Sequence, residues 1–154
     1  MDVLVRGRLT TLRPADVGDV DRLVGWHADP EVSRYWDDET FTRSEMENRL
    51  AREDVEAWIV EQGEEPVGYL QVHTDGLDMF LIPSARGRGL GPDAARAMAR
   101  HLLGDCGRSR VTVDPYAWND GAVRGWERAG FAEVSRHEAD DEHTAAWILM
   151  EYRD

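Results

Sequence analysis

The chain contains no lysine: all 18 of its basic residues are arginine. That excludes Schiff-base chemistry on a lysine amine and any P-loop lysine. A single cysteine, Cys106, excludes an internal disulfide framework and a multi-cysteine zinc site. Its place near the end of a helical pattern reads as a buried filler rather than a nucleophile. The five histidines have no metal-ligand spacing, so no metal is predicted, and His101 is read as structural. No apolar run approaches the ~18 residues of a membrane helix. The opening stretch MDVLVRGRLTTLRP lacks the basic and apolar regions of a signal peptide, so the expectation is a cytoplasmic protein away from membranes. Repeats and linkers are also missing, and 154 residues fit one domain spanning 1–154.

What is abundant is acid. There are 31 acidic residues and a net charge of −13, which repels nucleic-acid backbones and attracts cations. The charge is unevenly spread. Residues 86–136 carry nine arginines and six acids, net +3, and the remainder carries nine arginines and 25 acids, net −16. Two surfaces of opposite sign fit two ligands of opposite sign; general solubility is the plainer alternative.

Periodicity outlines the elements. Residues 3–12 are β-rich, and Asp16 then caps a helical stripe of Val17, Val20, Leu23 and Val24. Asp29-Pro30 starts a short helix, residues 37–41 form an acidic loop, and Thr42 with Glu45 makes a capping box for a helix to about Arg52. The period then shortens. Strands are predicted at 57–62 and 67–73, joined by a turn, and at 77–82, whose apolar character reads as central. After a glycine-rich stretch at 86–91, Pro92 opens a helix, residues 110–113 form a strand, and 119–129 form a helix stopped by Gly130. Closing strands fall at 131–135 and 145–152. The order is β-α-α-α-β-β-β-α-β-α-β-β, an α/β (α+β) mixture.

The chemistry sits between the strand at 77–82 and the helix after it. Leu81-Ile82-Pro83-Ser84-Ala85-Arg86-Gly87-Arg88-Gly89-Leu90-Gly91 places three glycines at alternate positions ahead of a helix. Such a backbone can fold tightly and converge several N–H groups with the positive end of the helix dipole, a fit for a diphosphate. A P-loop would need Gly-Lys-Ser/Thr, and a dinucleotide fingerprint would need G-x-G-x-x-G; neither is present. Arg86-x-x-Gly89-x-Gly91 instead resembles the acetyl-CoA loop of the GCN5-related N-acetyltransferase (GNAT) family. Downstream, Asn119, Ala122, Gly130 and Phe131 match that family's N-x-x-A-x-x-x-Y-x-x-x-G-F signature, in the family's order and separation. The stretch from Gly76 to Leu81, Asp114-Pro115, Leu12-Arg13-Pro14, the run from Asp29 to Val32 and Tyr35-Trp36 are most similar to aminoglycoside 6'-N-acetyltransferases. Ribosomal-protein N-terminal acetyltransferases and siderophore acyltransferases share much of this frame.

The resemblance implies a GNAT fold: a mixed, mostly antiparallel sheet of six to seven strands flanked by helices, splayed at a central cleft. Acetyl-CoA would lie in that cleft. Backbone N–H groups near Phe80 and Leu81 would polarise the thioester carbonyl. Arg86, Gly87, Arg88, Gly89, Leu90 and Gly91 would hold the diphosphate, and Asn119 the cofactor arm. Asp78, an acid within an apolar strand, is the candidate base that deprotonates or orients the amine. Trp36, Asp37, Asp114 and Glu142 join Asp78 as candidate substrate contacts. Each has a plainer reading: a core aromatic for Trp36, solvated loop or turn residues for the acids. Trp126 departs from the family, because it replaces the tyrosine thought to protonate the leaving thiolate and an indole cannot do so. Water, Tyr116 or unassisted departure remain.

The expected partner is a small polycationic amine, taken up by a monomer or homodimer, with acetyl transferred directly in a ternary complex to a primary amine of an aminoglycoside. A protein N-terminus, a lysine-like or siderophore amine, and a CoA-binding module without turnover are the alternatives.

Overall fold

Two sheets meet at one point in the computed structural model, which describes residues 3–154; Met1 and Asp2, where the reading of the N-terminal segment begins, lie outside them. Strands β1 (Val5–Arg6), β2 (Thr11–Pro14), β3 (Glu56–Gln62), β4 (Glu65–Val72) and β5 (Leu77–Leu81) form an antiparallel sheet in chain order. Strands β6 (Thr112–Val113), β7 (Phe131–His137) and β8 (Trp147–Tyr152) form a second, ordered β6-β8-β7. Helices α1 (Val20–Ala28), α2 (Pro30–Ser33) and α3 (Arg43–Leu50) connect β2 to β3, α4 (Leu90–Arg100) follows β5, and α5 (Asp120–Ala129) lies between β6 and β7.

The local signals account for most helix starts. Asp29 accepts from the Glu31 N–H with Pro30 at the first helical position, and Thr42 and Glu45 cap α3 reciprocally. Gly130 (φ 115°) ends α5. Helix α4, however, begins at Leu90 rather than Pro92. Gly89 (φ 78°) serves as its cap, and Pro92 falls in the first turn, where its missing N–H costs nothing.

The described residues form eight strands, not six to seven. The segment 3–12, read as one strand, folds back on itself, with the Gly7 N–H donating to the Thr10 carbonyl (2.8 Å). The turn is held from afar. The Asp93 carboxylate on α4 accepts from the Arg8, Leu9 and Thr10 N–H groups (3.0, 3.0 and 2.9 Å) and from the Thr10 hydroxyl (2.7 Å). Gly7 is required there, because a Cβ would sit 2.2 Å from Asp93 Oδ2.

Each face of the larger sheet buries a core. Trp58 and Val60 of β3, Leu70 and Val72 of β4, and Leu77 of β5 pack with α4 and the second sheet. Ile59, Tyr69 and Phe80, on the alternate positions, pack with Val20, Leu23, Val32, Trp36 and Met46 from the α1–α3 side. This double covering explains why β5 reads as mostly apolar, although it is the sheet's edge strand and not its centre. Cys106, expected as a filler, is exposed after a π-turn at His101–Asp105. His101 is structural as read, bonded to Asp105 (2.9 Å) and edge-on to Trp58.

His27 lies wholly inside the second core, among the rings of Phe41 (4.7 Å), Phe80 (5.1 Å) and Trp36 (5.8 Å). Neither ring nitrogen has a hydrogen-bond partner among the described residues. Burial, with the Arg49 charge adding to it, pushes its pKa down to about 4. The folded state therefore refuses a proton that the unfolded chain accepts. Stability is fully present above the ordinary value near 6.5 and falls as the pH drops from there to about 4, by up to about 3 kcal/mol. Urea unfolding across this range should show that decline, and His27→Leu should remove most of it.

Candidate active site

The cleft exists because β5 and β6 touch only at their beginnings. Gly76 bridges Thr112 in parallel, and the Thr112 N–H donates to the Asp75 carbonyl (2.8 Å). The Arg108 guanidinium clamps the same turn by donating to the carbonyls of His73 (2.9 Å) and Thr74 (2.8 Å). Beyond this point β5 stays with β4 and β6 with β8. The strands part around a cleft of about 1100 Å³, lined by β5, the start of α4, α5 and the Trp36–Asp37 loop.

The parting leaves one edge of β5 without a strand partner. Antiparallel pairing alternates, so successive residues direct their N–H groups to opposite edges. The Ile82 N–H donates to Val67 (2.9 Å) and Leu81 pairs opposite Gly68. In that register the Phe80 N–H points into β4, and its ring is buried in the second core. The N–H groups on the cleft edge belong to Met79 and Leu81. Of the two residues named from the sequence, Leu81 directs its N–H to the cleft and Phe80 directs its N–H to β4.

At the near end of the cleft, Gly87 (φ 75°) and Gly89 (φ 78°) take the left-handed backbone that their spacing predicts. The Leu90 and Gly91 N–H groups then open α4 with no carbonyl a turn earlier to accept them. The Leu90 side chain anchors the turn in the first core, and Gly91 lies buried where α4 packs beside Leu81 and Met79 of β5. Arg86 donates to the carbonyls of Leu81 (3.2 Å) and Glu31 (2.7 Å) and lies over the Tyr35 ring, so it braces the loop against α2. Arg88 is exposed. Asn119 caps α5 through Oδ1, which accepts from the Ala122 N–H (3.2 Å), and also lines the cleft. Left-handed glycines, unpaired N–H groups at a helix start and an open strand edge are together a donor set that fits a diphosphate followed by a pantetheine amide chain.

The other end is acidic. Asp78 Oδ2 accepts from Gln71 Nε2 (3.1 Å) and pairs with His73 Nε2 (3.1 Å). Gln71 is itself held by Arg49 and the Tyr69 hydroxyl (3.0 Å each). Across the cleft Asp114 Oδ2 pairs with His143 Nε2 (2.7 Å). Burial pushes the Asp114 carboxyl up, the Asp78 charge adds to the rise, and His143 opposes it. The hydrogen bond to Asp78 raises His73. Asp37, with φ 52°, accepts from the Tyr116 hydroxyl (2.7 Å), which ties the loop to the opposite wall. Trp36 is nearly buried against His27, Tyr69 and Phe80, with its edge in the cleft lining. Glu142 is exposed at the rim. Trp126 packs edge-on against Phe131 (5.4 Å).

Gln71, His73, Tyr116 as Asp37's partner, and His143 escaped the sequence reading. Their signal was weak: Gln71 lies on β4 opposite Asp78 and His73 follows just beyond the strand's end, but nothing local marks His143 as Asp114's neighbour. Among the described residues no group of three or more candidate ligands could hold a metal ion, and no helix is long and apolar enough to cross a membrane.

The acetyltransferase (GNAT) domain pattern matches residues 8–132. The chain is 28% identical over 146 residues to aminoglycoside N(6')-acetyltransferase type 1 of Klebsiella pneumoniae, covering 79% of this chain and 73% of that protein. It is 33% identical over 118 residues to mycothiol acetyltransferase of Corynebacterium efficiens, covering 73% of this chain but only 38% of that longer protein. The fold matches that of aminoglycoside acetyltransferase AAC(6')-Ib in complex with coenzyme A and kanamycin, with a TM-score of 0.80, 26% identity and coverage of 92% and 93% of the two chains. A ribosomal L7/L12 alpha-N-protein acetyltransferase shares the fold at a TM-score of 0.83 but only 14% identity, over 100% of this chain and 96% of that one. The splayed strands, the glycine loop and these matches agree: the chain belongs to the GNAT family of acetyltransferases, which draw their acetyl group from acetyl-CoA.

Proposed function

We propose that this chain acetylates a primary amine of an aminoglycoside, the 6'-amine by similarity, by direct transfer in a ternary complex. The observation that carries this reading is the pair of cleft carboxylates, Asp78 and Asp114. Each has Oδ2 held by an imidazole and Oδ1 without a protein hydrogen bond among the described residues. Two half-occupied carboxylates facing one cleft suit a ligand with several ammonium groups. The similarity to the Klebsiella pneumoniae enzyme supports the same substrate class.

When bound, acetyl-CoA supplies a thioester carbonyl open to attack by an amine. The Leu90 and Gly91 N–H groups would hold its diphosphate, and the β5 edge at Met79 and Leu81 its pantetheine arm and carbonyl oxygen. Asp114, with Asp37 and Glu142 at the rim, binds and orients the ammonium groups. Asp78 takes the proton that the amine must lose before attack, while Gln71 and His73 keep its carboxylate in place. Trp126 donates no proton to the thiolate, and a thiol with a pKa of ~8.5 can leave without one. Tyr116 is committed to Asp37 on the substrate side. We further propose that 1–154 works as one acetyltransferase unit and that its activity protects a cell from aminoglycosides.

Thiol release from acetyl-CoA should be fast with kanamycin and slow with a basic peptide or a lysine-like amine. The reverse order would assign the enzyme to protein or lysine-type substrates, and coenzyme A binding without release with any amine would indicate a module without turnover. Asp78→Asn should lower kcat by roughly 10²–10⁴ with coenzyme A affinity unchanged, and an unaltered kcat would remove Asp78 as the base.

A further inference from the structure

His143 stands behind Asp114 and has no part in the steps above. Its Nε2 faces Asp114 Oδ2 at 2.7 Å and its Nδ1 faces Asp140 Oδ1 at 2.9 Å. Ionised carboxylates accept hydrogen bonds and do not donate them, so a ring placed between two needs a proton on both nitrogens. The surroundings fix this ring. Asp140 Oδ1 also accepts from the N–H groups of Glu142 (2.9 Å) and His143 (2.8 Å), and its Oδ2 accepts from Trp147 Nε1 (3.0 Å). Trp147 stacks flat on the imidazole, with centroids 4.1 Å apart and planes 11° apart, and His137 also stacks on that indole at 4.3 Å. Tyr116 meets the ring edge-on at 6.1 Å. Flat stacking on tryptophan favours a cation.

We propose that His143 is a positioning residue for the acceptor amine: clamped by Asp140 and Trp147, its imidazolium fixes Asp114 Oδ2 and so presents Oδ1 to a substrate ammonium. The role of that ammonium rests on the amine-acetylation reading; the resident cation does not. The titratable groups facing His143 are Asp114 from the end of β6, Asp140 from the β7–β8 turn, Tyr116 from the β6–α5 loop and, across Trp147, His137 from β7. Burial alone would lower its pKa, but the bonds to Asp114 and Asp140 outweigh this and raise it. The same bond draws Asp140 down to about 2. As pH rises through the raised His143 value the ring loses a proton, and one carboxylate loses its donor. His73 differs in having a single carboxylate partner, Asp78, so one proton on Nε2 suffices there.

Two measurements test the assignment. Long-range proton–nitrogen NMR of nitrogen-15-labelled free protein at pH 7 should show both His143 nitrogens protonated, with a midpoint that falls in Asp114→Asn. A neutral ring with one bare nitrogen would overturn the proposal, and this arm needs no substrate or activity. In kinetics, His143→Gln should lower kcat/KM for the amine roughly 10–100-fold with coenzyme A affinity unchanged, and should cost nothing further when added to Asp114→Asn. An unchanged kcat/KM, or a full additional loss in the Asp114→Asn background, would overturn it. His143→Asn replaces the glutamine if that variant does not fold. If spermine is acetylated and no aminoglycoside is, the proposed substrate falls, and the same cycle is run with spermine.

Discussion

The architecture turns on a single contact, the parallel bridge between Gly76 and Thr112 that joins two sheets which otherwise go their own way. Had β5 and β6 paired along their length, the β5 edge would be consumed by a neighbouring strand. Because they part, the Met79 and Leu81 backbone groups stand open to a ligand at the centre of the protein, where a cleft can exclude water. Gly76 is bound up with this contact: a Cβ there would lie 2.6 Å from the His73 ring and 3.1 Å from the Thr112 carbonyl. His73, pressed against the joint, is also Asp78's partner, so the point that opens the cleft helps to set its acid.

Charge is sorted along the cleft by burial. Around the glycine loop the positive potential comes from backbone N–H groups and the helix end, with Arg86 held beside the loop by its bonds to the Leu81 and Glu31 carbonyls. On the amine side, carboxylates are held by neutral or cationic partners on one oxygen only. A fully exposed acid would bind an amine weakly against water and salt, whereas a buried unpaired acid would lose its charge. Asp78 and Asp114, each partly exposed and half-bonded, lie between these limits.

Much of this was legible in the sequence, and the exceptions share a cause. The Asp29, Thr42 and Gly130 boundaries and the left-handed Gly87 and Gly89 follow from chemistry within a few residues. The β1–β2 turn was missed because its hydrogen-bond acceptor, Asp93, lies more than 80 residues away. The edge position of β5 was hidden because two cores cover both faces of a strand whose pattern then looks central. Which N–H groups around Phe80 and Leu81 point outward is decided by strand register, which no local pattern shows. His143 was invisible for the same reason as Asp93: its meaning comes from residues that the fold, not the chain, makes its neighbours.

The most direct test is a crystal structure of the protein with coenzyme A. The account predicts the diphosphate within hydrogen-bond distance of the Leu90 and Gly91 N–H groups, and the pantetheine arm running along the β5 edge past Leu81 and Met79 toward Asp78. Coenzyme A bound elsewhere, or absent from that edge at saturating concentration, would contradict it.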